Sequence, residues 1–448
     1  MRQILDLHIH SKYSRACSSA LTLPNIAAAC RIKGIDIIAT GDFTYPLWFK
    51  NIEDELEEIG KSGLYKLRNN TPRLAGLGTP LERGLKNHPA FANAPESSVK
   101  FILSTEVALI YKDGGPHARR IHLVIMAPNI EAARKLNNYL DKKFNIRSDG
   151  RPILGMSAPD LVKICLSIHP QFLIYPAHIW TPWFSVFGSK SGFDKMEECF
   201  REQTENIYAY ETGLSSDPEM NWRLSALDNL TLLSNSDAHS LANLGRECNA
   251  FDLNDFSYQE IYDTIKNKDL RKIIQTIEFY PEEGMYHFDG HAAHNISFTP
   301  AETKKYKGIC PVCKKPLTIG VLNRVEELAD RPSASLRTGP PKNSYPYIKL
   351  VELDKIIAEA LGVKSRGSPK VKSEYDRMIK QLGPELPILM DLPLEKIAAK
   401  SLPLVAEGIK RVREGKLKIK PGFDGQYGEI KIFTAAEKSQ GKTQKPLF

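Results

Sequence analysis

Histidine and carboxylate side chains recur at the ends of successive short apolar runs, and this placement constrains the fold more than any other property of the chain. Runs at 4–8, 35–40, 101–106, 121–126, 172–176, 207–211 and 231–234 have strand character, with helical patterning between several of them at 24–33, 130–142 and 218–228. His8 and His10 close the first run, and strand alternation puts both on one face. Asp42 follows the second run, Glu106 ends the third, His122 sits early in the fourth, His178 follows the fifth, and Asp237 and His239 follow the seventh. Seven strand–helix units predict a parallel α/β barrel, in which strand C-termini converge on one rim. A doubly wound open sheet is the alternative pattern. His122 is out of phase with the rim, and a slip of a few residues in its strand would correct this.

The chemistry of the set is that of a metal site. Imidazole and carboxylate are ligands for Zn, Mn or Fe, and Mg accepts the carboxylates. Glu106 can bridge two ions, and two ions about 3.5–4 Å apart suit displacement at phosphorus. A lone histidine is more often structural, but an HxH pair, an SDAH segment and three further ligands at strand ends are hard to explain that way.

Past about residue 285 the pattern changes. Residues 1–285 form the expected barrel domain, 286–330 a small metal ribbon, 331–435 a mainly helical domain opening on a Pro/Ser/Arg-rich linker (331–345), and 436–448 a polar tail. In the ribbon, His291 and His294 precede Cys310 and Cys313 at the spacing of a structural zinc site. His287 is a spare ligand, and redox use of the Cys310–Cys313 pair is the alternative. Such a ribbon is too small for its own core, so metal would supply its folding free energy. The chain's 7 cysteines are scattered and odd in number, which favours reduced thiols and a cytoplasmic setting. The start reads directly as a strand with no apolar leader, and no run of about 18 apolar residues predicts a membrane span. A net charge of +8 permits a polyanionic partner.

The segments DLHIHS, STEV, RRIHLVIM, YPAHIW and SNSDAHS resemble the successive motifs of the PHP (polymerase and histidinol phosphatase) family. That resemblance implies a distorted seven-stranded (β/α) barrel with two or three divalent metals serving phosphoester hydrolysis. It implies that His8, His10, Glu106 and Asp237 hold one metal and Glu106, His122 and His178 a second, with Asp237, Glu106, His8 and His10 at the catalytic centre. His239, alone or with Asp42, belongs to a third position. The chain departs from the fuller pattern at Thr40-Gly41-Asp42-Phe43 and around Ala16 and Cys17, which puts the third metal in question.

The resemblance extends over about 1–433 to the endonuclease Q family, through TGDFT, DGRPILG, HIWTPWFSVFGSKSGFD, CPVCKKPLTIGVLNRVEELADRP and PGFDGQYGEIKIF. It implies a monomeric DNA repair endonuclease that uses a metal-activated hydroxide to cut 5′ to uracil, hypoxanthine, xanthine and abasic sites. Tyr45 stands where that family has His, and His294 where Cys is usual. Trp180, Trp183, Phe184 and Phe187 follow His178 and suit base stacking. Arg15, Arg119 and Arg120 adjoin metal motifs and suit phosphates, and a basic run including Lys410 and Arg411 suits a DNA backbone. The end, Gln444 to Phe448, resembles the QxxLF peptide that docks on the bacterial sliding clamp, with Gln444, Leu447 and Phe448 as anchors. The other readings are a small-molecule PHP phosphatase and a non-catalytic, clamp-tethered DNA-binding protein. Deleting 444–448 is expected to abolish co-elution with a bacterial sliding clamp in size-exclusion chromatography while leaving bound metal unchanged.

Overall fold

The computed structural model of the chain describes residues 1–68, 99–115, 117–332, 340–434 and 437. Gln444, Leu447, Phe448 and linker residues 333–339 lie outside them. The strands among the described residues are β1 (Arg2–Asp6), β2 (Ile37–Ala39), β3 (Leu56–Glu58), β4 (Leu64–Leu67), β5 (Lys100–Ile102), β6 (Ser104–Lys112), β7 (Ala118–Met126), β8 (Ile153–Leu154), β9 (Leu173–Pro176), β10 (Ala209–Glu211), β11 (Thr231–Leu233), β12 (Cys248–Asp252), β13 (Ile273–Glu278), β14 (Asp289–His291), β15 (Ile296–Phe298), β16 (Tyr347–Lys349), β17 (Lys418–Lys420) and β18 (Glu429–Lys431).

The fold is mixed α/β with several sheets. One ladder runs β16-β13-β12-β1-β2-β5-β4-β3, a second β8-β6-β7-β9, and β10 pairs with β11. The expectation of all-parallel pairing is corrected, and the strands form separate ladders. Among the described residues the ladders do not join into a closed barrel. Many neighbours are also antiparallel: β1 with β12, β12 with β13, β6 with β7 and β7 with β9. The reason for the β6–β7 reversal is chain length. Only residues 113–117 join these strands, whereas a parallel crossover needs a dozen or more. The apolar run expected at 101–106 is also two strands, because the chain leaves the first sheet at Leu103 and enters the second at Ser104.

The expected helices at 24–33 and 130–142 form as Leu23–Lys33 and Ile130–Asp141. Pro24 starts the first, where its missing N–H costs nothing, and Gly34 ends it at φ 84°. Asn129 caps the second by accepting Ala132 N. The stretch at 218–228 keeps only one turn, Pro218–Asn221, before a 3₁₀ turn at Ser225–Leu227. Here Arg223 O accepts Asp330 N and Arg331 N at 3.2 and 3.1 Å, so tertiary bonds displace the helical ladder.

The later segments do not stand apart. Tyr347–Lys349 extends the main sheet beside β13, and one apolar core reaches from Ile4 to Phe433. The helices Leu353–Leu361, Pro369–Leu382, Glu385–Met390, Leu394–Ala398 and Pro403–Arg413 pack on one another, and Glu385–Met390 meets helix Leu23–Lys33. At that seam Lys33 Nζ meets Glu385 at 2.8 Å with both side chains nearly buried. Glu385 also accepts Leu353 N and Tyr375 OH. Removing the cation would leave a buried carboxylate short of positive charge. Lys33→Met is therefore expected to cost about 3–5 kcal/mol, read as a lower urea midpoint, while the double change Lys33→Met/Glu385→Gln recovers part of the loss, because the neutral amide oxygen can still accept a hydrogen bond.

Candidate metal centre

Backbone bonds at strand ends draw the ligand-type side chains together. Asp237 N donates to His8 O at 2.9 Å and His10 N to Ala238 O at 3.1 Å, with Ile9 and Ala238 in a parallel bridge. SNSDAHS therefore lies against LHIH. Ala177 N donates to His122 O at 3.2 Å and Ile179 N to Glu211 O at 3.0 Å, which carries His178 to the same place. His122 needs no slippage. Its strand runs antiparallel to β6 and β9, so the end that meets the site is its N-terminal half.

Three donor sets result: His8, His10 and Glu106; Glu106, His122 and His178; and His10, Asp237 and His239. Glu106 Oε1 is 2.9 Å from His122 Nδ1 and 3.1 Å from His178 Nε2. Its Oε2 is 3.4 Å from His10 Nε2. Asp237 Oδ1 is 3.0 Å from His10 Nε2 and 3.6 Å from His239 Nδ1. Donors sharing one tetrahedral ion lie about 3.3 Å apart. The Nε2 atoms of His8 and His10 and Oδ1 of Asp237 are buried without a well-formed hydrogen bond, a state that metal ligation would relieve. The residues present therefore fit divalent ions.

Behind the donors stands a ring of orienting partners. Glu211 is 3.0 Å from His8 Nδ1 and accepts His178 N at 3.1 Å and Asn235 Nδ2 at 2.9 Å. Asp42 does not join His239. It faces the far nitrogen of His10 at 3.0 Å, and its other oxygen accepts Ser11 N, Ser11 Oγ and Ser14 Oγ. Thr181 Oγ1 lies 3.1 Å from His178 Nδ1. Such partners set which ring nitrogen is free for a ligand. Glu211 was missed in the sequence reading, although it ends the one strand that lacked an assigned donor. Arg151, whose Nη1 donates to Glu106 Oε2 at 2.9 Å, carries no such signal.

The electrostatics call for positive charge at the centre. Burial alone would raise the Glu106 carboxyl, but His122, Arg151 and His8 hold it well below the usual carboxylate range. Burial disfavours charge on His8, yet Glu211 and Glu106 hold its proton well above the usual range. His122 goes the other way, lowered by burial to about 4. Protons and divalent cations compete for these atoms. Asp42, His178 and Asp237 all have positive φ, at 48°, 29° and 44°, strain of the kind that ordered sites retain. Gly41 supports the first, since a Cβ there would lie 2.4 Å from Ile9 O.

The remaining expected residues divide. His291 Nε2 is 3.6 Å from Cys313 Sγ and His294 Nδ1 is 3.6 Å from Cys310 Sγ, close to the sulfur–nitrogen separation of about 3.6 Å around zinc. His287 lies away from this set, buried against Phe288. Trp180 is buried with its Nε1 on Asn221 at 2.7 Å, and Phe187 packs against it, so both serve the core and neither is open to a base. Phe184 covers His122 at 4.6 Å, and Trp183 is 41 % exposed beside Tyr286. Arg119 is spent on Gly192 O and on the face of Phe193, while Arg120 and Arg15 stay exposed. Arg411 is held by Glu407, Glu437 and Ile432 O, which leaves Lys410 as the exposed cation of the pair.

Residues 352–416 match the family model of the MJ0043 C-terminal domain. A protein of Methanocaldococcus jannaschii, MJ0043, is 34 % identical over 258 residues, 56 % of this chain; the match covers only 31 % of that protein. Across the whole chain, the crystal structure of the lesion-specific endonuclease PfuEndoQ from Pyrococcus furiosus is similar with a TM-score of 0.79 at 31 % identity, covering 100 % of this chain and 98 % of that one. A complex of endonuclease Q with a 27-mer duplex carrying an abasic lesion at its active site matches with the same TM-score and identity, over 100 % and 99 %.

Metal analysis tests the donor sets. Wild type loaded with Mn²⁺ or Zn²⁺ is expected to hold at least two ions in the main centre by mass spectrometry of the metal. Glu106→Ala removes both, His122→Ala removes one, and Cys313→Ala leaves them in place while releasing the ribbon ion.

Proposed function

The chain belongs to the endonuclease Q family, and from that premise we propose that it is a DNA repair endonuclease that hydrolyses the phosphodiester 5′ to deaminated bases and abasic sites. The observation that carries the reading is the joint one: whole-chain similarity at 31 % identity to a lesion-specific endonuclease, together with donor sets that share one buried carboxylate. The cut breaks the bond between phosphorus and the 3′-oxygen. Water supplies the new oxygen, leaving a 3′-hydroxyl and a 5′-phosphate on the damaged nucleotide.

The site is read as a PHP-type centre. His8, His10, Glu106 and Asp237 hold one ion and Glu106, His122 and His178 a second, with His239 serving a third beside His10 and Asp237. Bound there, divalent ions lower the pKa of water and neutralise charge on the phosphoryl oxygens. The chain's own part is orientation and exclusion of water. Glu211, Asp42 and Thr181 fix the rings, and Phe184 shields His122. Trp183, Arg15, Arg120 and Lys410 keep exposed surface for DNA. His291, His294, Cys310 and Cys313 form a structural zinc site, the domain limits follow the sequence reading, and the tail serves clamp docking. The protein acts as a cytoplasmic monomer.

The test is a labelled duplex with one uracil, hypoxanthine or abasic site, incubated with Mn²⁺ or Mg²⁺. A single nick 5′ to the lesion is expected, and Asp237→Asn should slow it by roughly 10²–10³-fold. No nick with wild type, or equal nicking by the variant, would sink the reading.

A further inference from the structure

The arginines that sequence placed near the centre, Arg15, Arg119 and Arg120, are exposed or spent on other contacts. The guanidinium that reaches the centre is that of Arg151. Its Nη1 bonds Glu106 Oε2 at 2.9 Å, and its side chain is 26 % exposed against 0 % for Glu106. Among the described residues its side chain makes no other hydrogen bond. The arginine is thus anchored by one N–H and open at the others, beside the carboxylate that joins two of the donor sets.

The segment that carries it is built to hold it there. Asp149 Oδ1 accepts both Arg15 N and Arg151 N at 3.1 Å. Gly150 N donates to Tyr13 O at 3.1 Å, and Ala108 N donates to Pro152 O at 2.9 Å. A Cβ on Gly150 would lie 2.4 Å from Asp42 Oδ2 and 2.3 Å from Ser14 Oγ, so only glycine lets residues 149–152 press against the HxH turn. Four separate hydrogen bonds therefore fix the backbone that carries Arg151, and Glu106 fixes its guanidinium. A cation spent only on Glu106 would leave most of its fork of five donors unused, and a guanidinium is shaped to take phosphate oxygens in pairs.

We propose that Arg151 is a phosphate-binding residue of this site, with one N–H holding Glu106 and its outward donors taking a non-bridging oxygen of the scissile phosphodiester. The assignment rests on the phosphodiesterase reading above. Charge builds on those oxygens as the new bond to phosphorus forms, so a fixed cation favours the transition state over the ground state.

The experiment compares wild type with Arg151→Gln and Arg151→Lys in the full chain loaded with Mn²⁺. Three quantities are read: bound metal per chain, kcat and KM on an abasic-site duplex, and the Kd for inorganic phosphate by calorimetry. Bound metal is expected to be unchanged in both variants. For Arg151→Gln, kcat should fall roughly 100-fold with KM within about threefold, and phosphate binding should weaken at least about tenfold. Arg151→Lys should recover part of both, since it keeps the charge without the fork. Phosphate affinity and kcat within about twofold of wild type would overturn the proposal. So would a loss of activity that tracks loss of metal and returns at saturating Mn²⁺, because Arg151 would then only position Glu106. If wild type fails to nick lesion DNA yet phosphate affinity still depends on Arg151, the DNA reading fails and the phosphate site stands.

Discussion

A carboxylate shut away from water needs positive charge around it, and Glu106 sets that demand for the whole molecule. It is fully buried, and ionised burial without partners costs many kcal/mol. Around it stand His8, His10, His122, His178 and Arg151. Those histidines are themselves buried, so they require negative charge or acceptors on their far sides. Glu211, Asp42 and Thr181 provide these for His8, His10 and His178 respectively. The site is therefore layered, acid inside imidazole inside acid, and each layer is costly to keep without the next. Divalent ions would take over the cationic role at the centre, which is why the same arrangement suits metal and why protons compete with it.

Such layering can only be assembled from distant parts of the chain. Glu106 and His122 come from two strands joined by a short reversal. His8 and His10 are tied to Asp237 and His239 by backbone bonds between the first strand and the segment after β11. The positive φ of Asp42, His178 and Asp237 is the local cost of turning each chain segment inward at the point where the donor must face the centre. The surrounding core carries that cost, because it is continuous from the first strand to the last helices.

The later segments are attached to this arrangement more closely than their composition suggests. Arg324, from helix Val321–Leu328, holds Phe187 O and Phe193 O at 3.1 Å, and these belong to the loop that follows His178. Lys33 and Glu385 join the helical region to the helix that follows the HxH segment. Movement of helix Val321–Leu328 would thus be felt in the loop that follows His178, and movement of the C-terminal helices in the helix that follows the HxH segment.

The identity and order of the donors were legible in the chain itself. HxH, Glu106, His122, His178 and SDAH stand at the ends or faces of apolar runs, and strand alternation is enough to aim His8 and His10 the same way. The pairing of His291 and His294 with Cys313 and Cys310 in space follows a spacing that is local in the chain. What the chain could not disclose is direction and partnership. Parallel and antiparallel strands have the same alternation, so His122 looked out of phase until β7 proved to run the other way. Asp42 looked like a ligand because it follows a strand, but a carboxylate can face a metal or the back of an imidazole, and only the position of His10 chose between them. Trp180 and Arg411 had the right chemistry for nucleic acid and were claimed by Asn221 and by Glu407 and Glu437. Glu211 and Arg151 acquire their place solely from what the fold sets opposite them. Residue type and spacing are properties of the chain as written, whereas the partner of a charged group is a property of space, and tertiary packing alone decides it.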